Sequence, residues 1–304
     1  MTAPYRGRFA PSPTGPLHFG SLIAAMASYC DARAHGGEWL LRIEDLDEPR
    51  SRDGAGAQIL AQLAAYGFQW DGPVVWQSER QAPYQSALDE LVARGLAFPC
   101  ACSRRDLEGA ALAPGGERIY PGTCRRAITP GRSPRSWRVA VNAEAIGFRD
   151  RVQGWFEQRL DSEVGDFVVK RADGIFAYQL AVVVDDALQG VTHVVRGCDL
   201  LASTPRQIWL QRQLGLATPA YLHHPVAIDA RGEKLSKQTG AAPLSDEPLP
   251  TLVSAWRFLD QAAPSSPPAS VQGFWQWAHR RWNAPSLPPV TMLPAPGSCV
   301  RAAV

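Results

Sequence analysis

Residues 5–10 read as a short strand, and from 20 to 35 the period changes: Leu22, Ile23, Met26 and Cys30 recur at the three-to-four spacing of one buried helix face. Gly36 and Gly37 end that helix. Trp39, Leu41 and Ile43 then alternate with Leu40, Arg42 and Glu44, which predicts a second strand and hence a strand, helix, strand unit with a parallel sheet. Helices are expected over 54–66 and 83–94, closed by Gly67 and Gly95, with a strand-like stretch at 74–76 between them. The pattern breaks into Gly, Pro and Arg between Cys100 and Arg138, as an inserted module would. Strand-like 137–141 and 166–171 follow, then a turn at Asp173-Gly174, an apolar stretch over 175–188, a strand over 192–196 and a helix over 203–214, as though the wound sheet resumed. Short helices are expected near 252–258 and 274–281.

Composition changes this picture little: 304 residues, 45% hydrophobic and 20% charged, suffice for one large or two ordinary domains with a core. A net charge of +2 excludes a scaffold that coats nucleic acid by charge alone, so any such contact must be local. The longest uncharged apolar run, 175–184, is far below the roughly 20 residues a membrane helix needs. Pro11, Pro13 and Pro16 interrupt any signal-peptide reading, and six scattered cysteines form no disulfide framework, so the cytoplasm is the expected location.

Chemistry concentrates in three places. RFAPSPTGPLHFGS, residues 8–21, ends a strand, turns through a stiff loop and starts a helix at Gly20 or Ser21, where unpaired N–H groups and the dipole suit a phosphate that His18 can also reach. KLSKQ at 234–238 holds two of the three lysines in the chain, and two ammonium groups on a polar loop suit a leaving pyrophosphate. Cys100 and Cys102 form a C-x-C pair that Cys124 can close into a zinc site. The fourth donor stays open on spacing alone: Tyr120, Asp106, Glu117, a water, or no metal at all.

The first two segments resemble the HIGH and KMSKS signatures of class I aminoacyl-tRNA synthetases. The words LRIEDLD (41–47), YQLAVVVDD (178–186) and VVRGCDLL (194–201), in this order, narrow the resemblance to the glutamyl branch over residues 5 to about 240. It implies a Rossmann-type, doubly wound parallel sheet. It also implies that Arg8 and Arg196 hold the substrate carboxylate through their guanidinium forks, that Glu44 faces its ammonium, and that Ser12 and Tyr178 are polar anchors, with Phe9, Ala10 and Pro11 completing the glutamate segment. His18, Lys234 and Lys237 are then the catalytic set, and His18, Gly20, Ser21 and Lys237 the ATP contacts. Three departures stand out: Ser21 where the first signature has its second histidine, Leu235 for the methionine of the second, a volume-conserving change, and Gln238 for its final serine, which leaves both lysines in place. The C-x-C…Y-x₃-C spacing after GLAFP (95–99) resembles the structural zinc site of short glutamyl relatives that modify tRNA, with Cys100, Cys102, Tyr120 and Cys124 as ligands.

The implied division is 1–99 for the first half of the catalytic domain, 100–138 for the inserted zinc module, 139–240 for the remainder of the insertion and the second half of the catalytic domain, and 241–304 for a short Pro-rich helical region. The 66 residues after Gln238 are too few for the anticodon-reading domain of full-length glutamyl enzymes. The truncated branch activates glutamate with ATP and magnesium and esterifies it to queuosine in tRNA(Asp). ATP, L-glutamate and queuosine-containing tRNA(Asp) are therefore the expected partners of a monomer with no membrane contact, and Arg104, Arg105, Arg125 and Arg126 are candidates for tRNA phosphates. Two alternatives stay open: a minimal glutamyl-tRNA synthetase charging tRNA(Glu), and a non-catalytic zinc-containing RNA-binding protein.

Overall fold

Strand β1 (Arg6–Phe9) runs parallel to β2 (Glu38–Ile43), with helix α1 (Phe19–Ala34) as the crossover between them. The computed structural model describes residues 4–47, 51–113, 116, 118–236 and 241–296. Helix α2 (Ala55–Ala65) leads to β3 (Val75–Trp76), parallel to the other side of β2. Beyond α3 (Gln81–Ala93) the direction of pairing changes. Strand β4 (Ala97–Cys100) pairs antiparallel with β5 (Ser136–Val139), so the two ends of the expected insertion meet in register, Cys100 opposite Ser136.

A hairpin of β6 (Ala145–Asp150) and β7 (Gly154–Arg159) follows, then α4 (Leu160–Glu163) and β8 (Val168–Lys170), which joins β5 antiparallel. The strands expected near 137–141 and 166–171 are thus real but do not continue the parallel sheet: they form a separate antiparallel layer. Of the apolar stretch over 175–188, Phe176 bridges back to Lys170 and the rest forms α5 (Tyr178–Leu188), whose continuous buried run from Leu180 to Asp186 suits a helix covered on most sides. Parallel pairing resumes only with β9 (His193–Gly197), α6 (Thr204–Gln213) and β10 (Ala220–His224). β9 packs along β1, and the Thr192 N–H beside it donates to the Arg6 carbonyl at 2.9 Å. Strand β11 (Val226–Ile228), helices α7 (Pro248–Phe258) and α8 (Val271–Arg281), and β12 (Met292–Pro294), which pairs parallel with β11, complete the chain.

Helix α1 was expected to bury one face, yet it is buried on several sides, because β1, β9, α7 and α8 all pack on it. Ala25, Ala27 and Ala32 let these neighbours approach closely. The core around it includes Trp39, Leu41, Trp256, Phe274 and Trp275, so the C-terminal helices belong to the same interior as the first strands. A second core, with Tyr84, Val139, Phe148, Leu180 and Trp209, lies under α3, α5 and α6, and a small third one gathers Phe98, Cys100, Tyr120 and Cys124.

Candidate functional site

The C-terminal ends of the parallel strands open into a cavity of about 420 Å³. Its lining includes Arg8, Phe9, Ala10 and Ser12 from the end of β1, His18, Gly20 and Ser21 from the start of α1, Glu44 after β2, Tyr178 at the start of α5, Arg196 on β9, and Lys234 to Ser236. Every described residue expected at the site lines it except Pro11, whose carbonyl instead accepts the Glu44 N–H at 3.0 Å and so fixes the loop carrying that acid. Lys237, expected as a catalytic and ATP-binding residue, lies outside the described residues. A second cavity of about 370 Å³ shares Ser12, Glu44 and Tyr178 and extends past Asp47 and Arg171.

One end of the main cavity is built on buried charge. The Asp186 carboxylate accepts Arg8 Nε at 3.2 Å and Nη2 at 3.4 Å, and lies 2.8 Å from Arg42 Nη2. Burial opposes ionisation of Asp186, but Arg8 and Arg42 outweigh it and hold its carboxyl below the usual range. Arg42 also reaches Glu44 at 3.4 Å, while Asp185 is held by Gln77, Arg80 and Tyr84. Glu44 differs from Asp186: burial pushes its carboxyl up despite Arg42 and Arg8.

Arg196, 4% exposed, donates from Nε to His223 Nε2 at 3.0 Å, from Nη2 to Thr204 Oγ1 at 2.8 Å and from Nη1 to the Tyr178 hydroxyl at 3.4 Å. Asp186 takes the Nε and Nη2 side of Arg8, and His223 and Thr204 take that of Arg196, so Nη1 of each arginine, which in Arg196 also donates one N–H to the Tyr178 hydroxyl, keeps donor capacity for a ligand. This arrangement can grip one anionic group between two arginines, with Glu44 placed for a cation beside it.

The other end of the cavity is the start of α1. His18 is its N-cap, and the His18 N–H donates to Ser21 Oγ at 3.5 Å, so Ser21 serves the cap as well as the cavity. A Cβ on Gly20 would come within 3.1 Å of the His18 ring and 3.3 Å of the Leu235 carbonyl, so glycine is what lets both signature segments close on the helix terminus. Leu235 is buried, and its N–H donates to the Ala227 carbonyl at 2.8 Å, which anchors the lysine loop to β11. Lys234 Nζ pairs with Asp199 Oδ2. The N-terminus of the 16-residue helix α1, beside an imidazole and an ammonium group, suits a polyphosphate.

Sequence reasoning missed Arg42, Asp150, Asp186, Asp199, His223 and His224 as parts of this environment. For Asp185-Asp186 the signal was present: two adjacent acids at the end of an apolar helix must be paired if buried. For Asp150 and His223 no local pattern marks them, because their partners lie far along the chain.

Away from the cavity, Cys102 Sγ and Cys124 Sγ lie 3.6 Å apart, and the Tyr120 hydroxyl lies 3.4 Å from Cys100 Sγ and 3.7 Å from Cys102 Sγ. The three sulfurs fall within 4.8 Å of one another. Bonds of about 2.3 Å to one zinc ion imply sulfur–sulfur edges of about 3.8 Å in a tetrahedron, so the donor set fits. Asp106 is not part of it, being occupied by Ser103 and Arg132, and Glu117 lies outside the described residues. Gly165 bridges to Tyr120 at φ +72°, where a Cβ would strike the Tyr120 nitrogen at 2.5 Å, and this contact ties the module to the catalytic body. Arg104, Arg105 and Arg126 are exposed, whereas Arg125 is paired with Asp166 at 2.8 Å. Among the described residues Cys30 and Cys198 are free, buried thiols. No helix among them is long and apolar enough to cross a membrane.

Residues 5–249 match the family described as tRNA synthetases class I (E and Q), catalytic domain. The chain is 54% identical to a glutamyl-Q tRNA(Asp) synthetase from Dechloromonas aromatica, over 97% of this chain and 100% of that protein. It is 55% identical to one from Aromatoleum aromaticum, over 97% of this chain and 94% of that protein. Among solved structures it resembles a glutamate tRNA ligase from Elizabethkingia meningosepticum, with a TM-score of 0.79 and 22% identity, covering 97% of this chain and 68% of that one. This last likeness concerns the fold alone. With the two signature segments meeting at one helix terminus, the chain belongs to the class I aminoacyl-tRNA synthetases of the glutamate and glutamine branch, in the glutamyl-Q tRNA(Asp) synthetase family.

Proposed function

We propose that this enzyme activates L-glutamate with ATP and esterifies it to the queuosine base in the anticodon loop of tRNA(Asp). The observation that carries the reading is the two-ended cavity: Arg8, Arg196, Glu44 and Tyr178 at one end, and the α1 terminus with His18, Gly20, Ser21 and Lys234 at the other. An amino acid gripped at the first end presents its α-carboxylate to a nucleotide at the second. In the first step a carboxylate oxygen attacks the α-phosphorus of ATP, and the bond to the β-phosphate breaks. Glutamyl-adenylate and pyrophosphate result.

Arg8 and Arg196 favour glutamate over glutamine, because an amide leaves an arginine N–H facing another donor; the mismatch is on the scale of about 1 to 3 kcal/mol. His18 and the helix N–H groups steady phosphate oxygens, while Lys234 and Lys237 stabilise the pyrophosphate as charge builds on it. Magnesium arrives with ATP. In the second step a hydroxyl oxygen of the queuosine ring attacks the glutamyl carbonyl carbon, AMP leaves, and the hydroxyl proton passes to AMP or water. On this reading the hydroxyl approaches the carbonyl through the second cavity, which shares Ser12, Glu44 and Tyr178 with the first.

On this reading residues 1–99 are the first half of the catalytic domain, 100–138 a module held by structural zinc on Cys100, Cys102, Tyr120 and Cys124, 139–240 the remainder of the insertion and the second half of the catalytic domain, and 241–304 a short Pro-rich helical region. Arg104, Arg105 and Arg126 meet phosphates of the anticodon stem.

The test is pyrophosphate exchange into ATP by the purified enzyme without tRNA, followed by transfer of labelled glutamate. We expect glutamate-dependent exchange, and transfer to queuosine-containing tRNA(Asp) but not to queuosine-free tRNA(Asp) or tRNA(Glu). Transfer to tRNA(Glu) would replace this reading with that of an acceptor-end synthetase, and absence of exchange would refute activation itself.

A further inference from the structure

Arg196 does not stand alone at the amino-acid end of the cavity. On β9 it sits directly opposite His223 of β10 in the parallel register, and its Nε donates to His223 Nε2 at 3.0 Å. Behind the imidazole, His223 Nδ1 lies 2.7 Å from Asp150 Oδ2 at the end of β6. The other Asp150 oxygen is occupied by backbone: the N–H groups of Val152 and Gln153 donate to Oδ1 at 2.9 Å each, and that of His223 at 3.2 Å. All three side chains are buried, with exposures of 4% for Arg196, 0% for His223 and 2% for Asp150.

The polarity of this chain follows from its two ends. A guanidinium never loses its proton in a protein, so Arg196 Nε–H requires an acceptor. Imidazole accepts at Nε2 only when it is neutral and carries its proton on Nδ1. An ionised Asp150 can only accept, so it selects that tautomer. Burial, with Arg196 alongside, pushes His223 down to about 4, and Asp150, although burial opposes it, is held below the usual carboxylate range by the imidazole and the backbone N–H groups. The imidazole therefore stays neutral at physiological pH.

We propose that Asp150 and His223 are positioning residues for glutamate recognition, setting the Arg196 guanidinium in the orientation in which Nη1 meets the substrate carboxylate. This rests on the reading of Arg196 as a glutamate ligand. Neither residue touches substrate. Thr204 accepts from Nη2 at 2.8 Å and lies 3.3 Å from His223 Nε2, the Leu200 carbonyl and the Tyr178 hydroxyl accept more weakly at 3.4 Å each, and among the described residues His223 is the one acceptor for Nε.

Asp150→Asn separates this role from simple packing. The amide is isosteric, and the three backbone N–H groups claim its carbonyl oxygen, so its NH₂ group faces Nδ1. The ring then shifts its proton to Nε2 and turns an N–H against Arg196 Nε–H. In pyrophosphate exchange the glutamate KM should rise about 10- to 100-fold while the ATP KM stays unchanged. His223→Leu, which offers no acceptor, should behave the same way. His223→Gln, whose carbonyl can reach the Nε2 position, should return the glutamate KM toward the wild-type value.

A wild-type glutamate KM in both Asp150→Asn and His223→Leu overturns the proposal, as does an ATP KM that rises in step with that for glutamate. Absence of glutamate-dependent exchange in the unmodified enzyme would instead remove the functional reading, and this proposal with it. Nitrogen-15 chemical shifts of His223 in the unmodified enzyme need no variant: the neutral Nδ1–H tautomer is expected between about pH 5 and 8, and the Nε2–H tautomer would refute the chain of bonds.

Discussion

Glu44 has a side chain only 10% exposed, with Arg42 Nη2 at 3.4 Å, yet its carboxyl titrates above the ordinary glutamate range. Burial is the largest cause; Arg42 and Arg8 work against it, and Asp186 and Asp185 reinforce it. A bound ammonium group would add a further cation to Arg42 and Arg8 and favour its ionised form. Glutamate binding is therefore strongest above the raised value and weakens as the pH falls through it, starting higher than the roughly 4.3 of a free glutamate side chain. Measured by pyrophosphate exchange, the glutamate KM should rise on acidification within that window. Glu44→Gln should raise it about 10- to 100-fold at neutral pH and remove the dependence. A Glu44→Gln enzyme with the unmodified pH profile would transfer the ammonium contact to another group. At this scale the site was legible wherever chemistry sits in a contiguous word, as with Arg8, His18, Glu44 and Lys234. It was illegible where the word supplies one partner and a distant strand the other: neither Asp150 nor His223 stands out in its own segment, and only the packing of β6 beside β10 brings them together.

Among the elements, helix α1 carries the clearest structural dependence. Asp31, fully buried on it, accepts Arg151 Nη1 at 2.5 Å and Nη2 at 3.0 Å, the Trp282 indole N–H at 3.0 Å, and the Tyr5 hydroxyl. One carboxylate thus ties together α1, the β6–β7 turn and the segment after α8. Burial opposes its ionisation, but Arg151, Tyr5 and Trp282 outweigh it and lower its pKa. A folded pKa below the unfolded one means stabilisation that is present above the unfolded value and lost as pH falls through the folded one. Asp31→Ala leaves the partly buried Arg151 without its partner, and should cost about 3 to 5 kcal/mol in denaturant unfolding at neutral pH. A loss below about 1 kcal/mol would mean that the carboxylate contributes no more than a surface pair does. Elements with long periodic signals, such as α1, α2, α3 and α6, were readable to within a few residues. Strand β4 was not, because Pro99 argues against a strand until the structure shows it on the edge of its sheet, opposite Trp137. The hairpin was hidden for another reason: Trp155 of β7 is 66% exposed and packs across Gly147, so the apolar alternation that marks a half-buried strand is broken.

For the molecule as a whole, the cavity and the cysteine module are separate bodies. The cavity is lined from β1, α1, α5, β9 and the Lys234 loop, and Phe9, Ile23, Val195, Ala227 and Leu235 of this lining belong to the first large core. The cysteine cluster has its own small core and reaches the rest through the β4–β5 register and the Gly165 bridge to Tyr120. None of its donors lines the cavity. Loss of the proposed zinc should therefore disorder the surface that carries Arg104, Arg105 and Arg126 while leaving the arginines and the α1 terminus in place. Cys124→Ser removes a buried donor whose Sγ lies 3.6 Å from Cys102 Sγ. Zinc content by atomic absorption should fall from about one ion per chain to nearly none. Pyrophosphate exchange should persist near the unmodified rate, and transfer of glutamate to queuosine-containing tRNA(Asp) should drop about 10-fold or more as the phosphate contacts weaken. Exchange and transfer lost together would make the module part of the activation body. Full zinc content in Cys124→Ser would instead locate the metal elsewhere, since three donors without Cys124 leave the tetrahedron open on the side that its sulfur now fills.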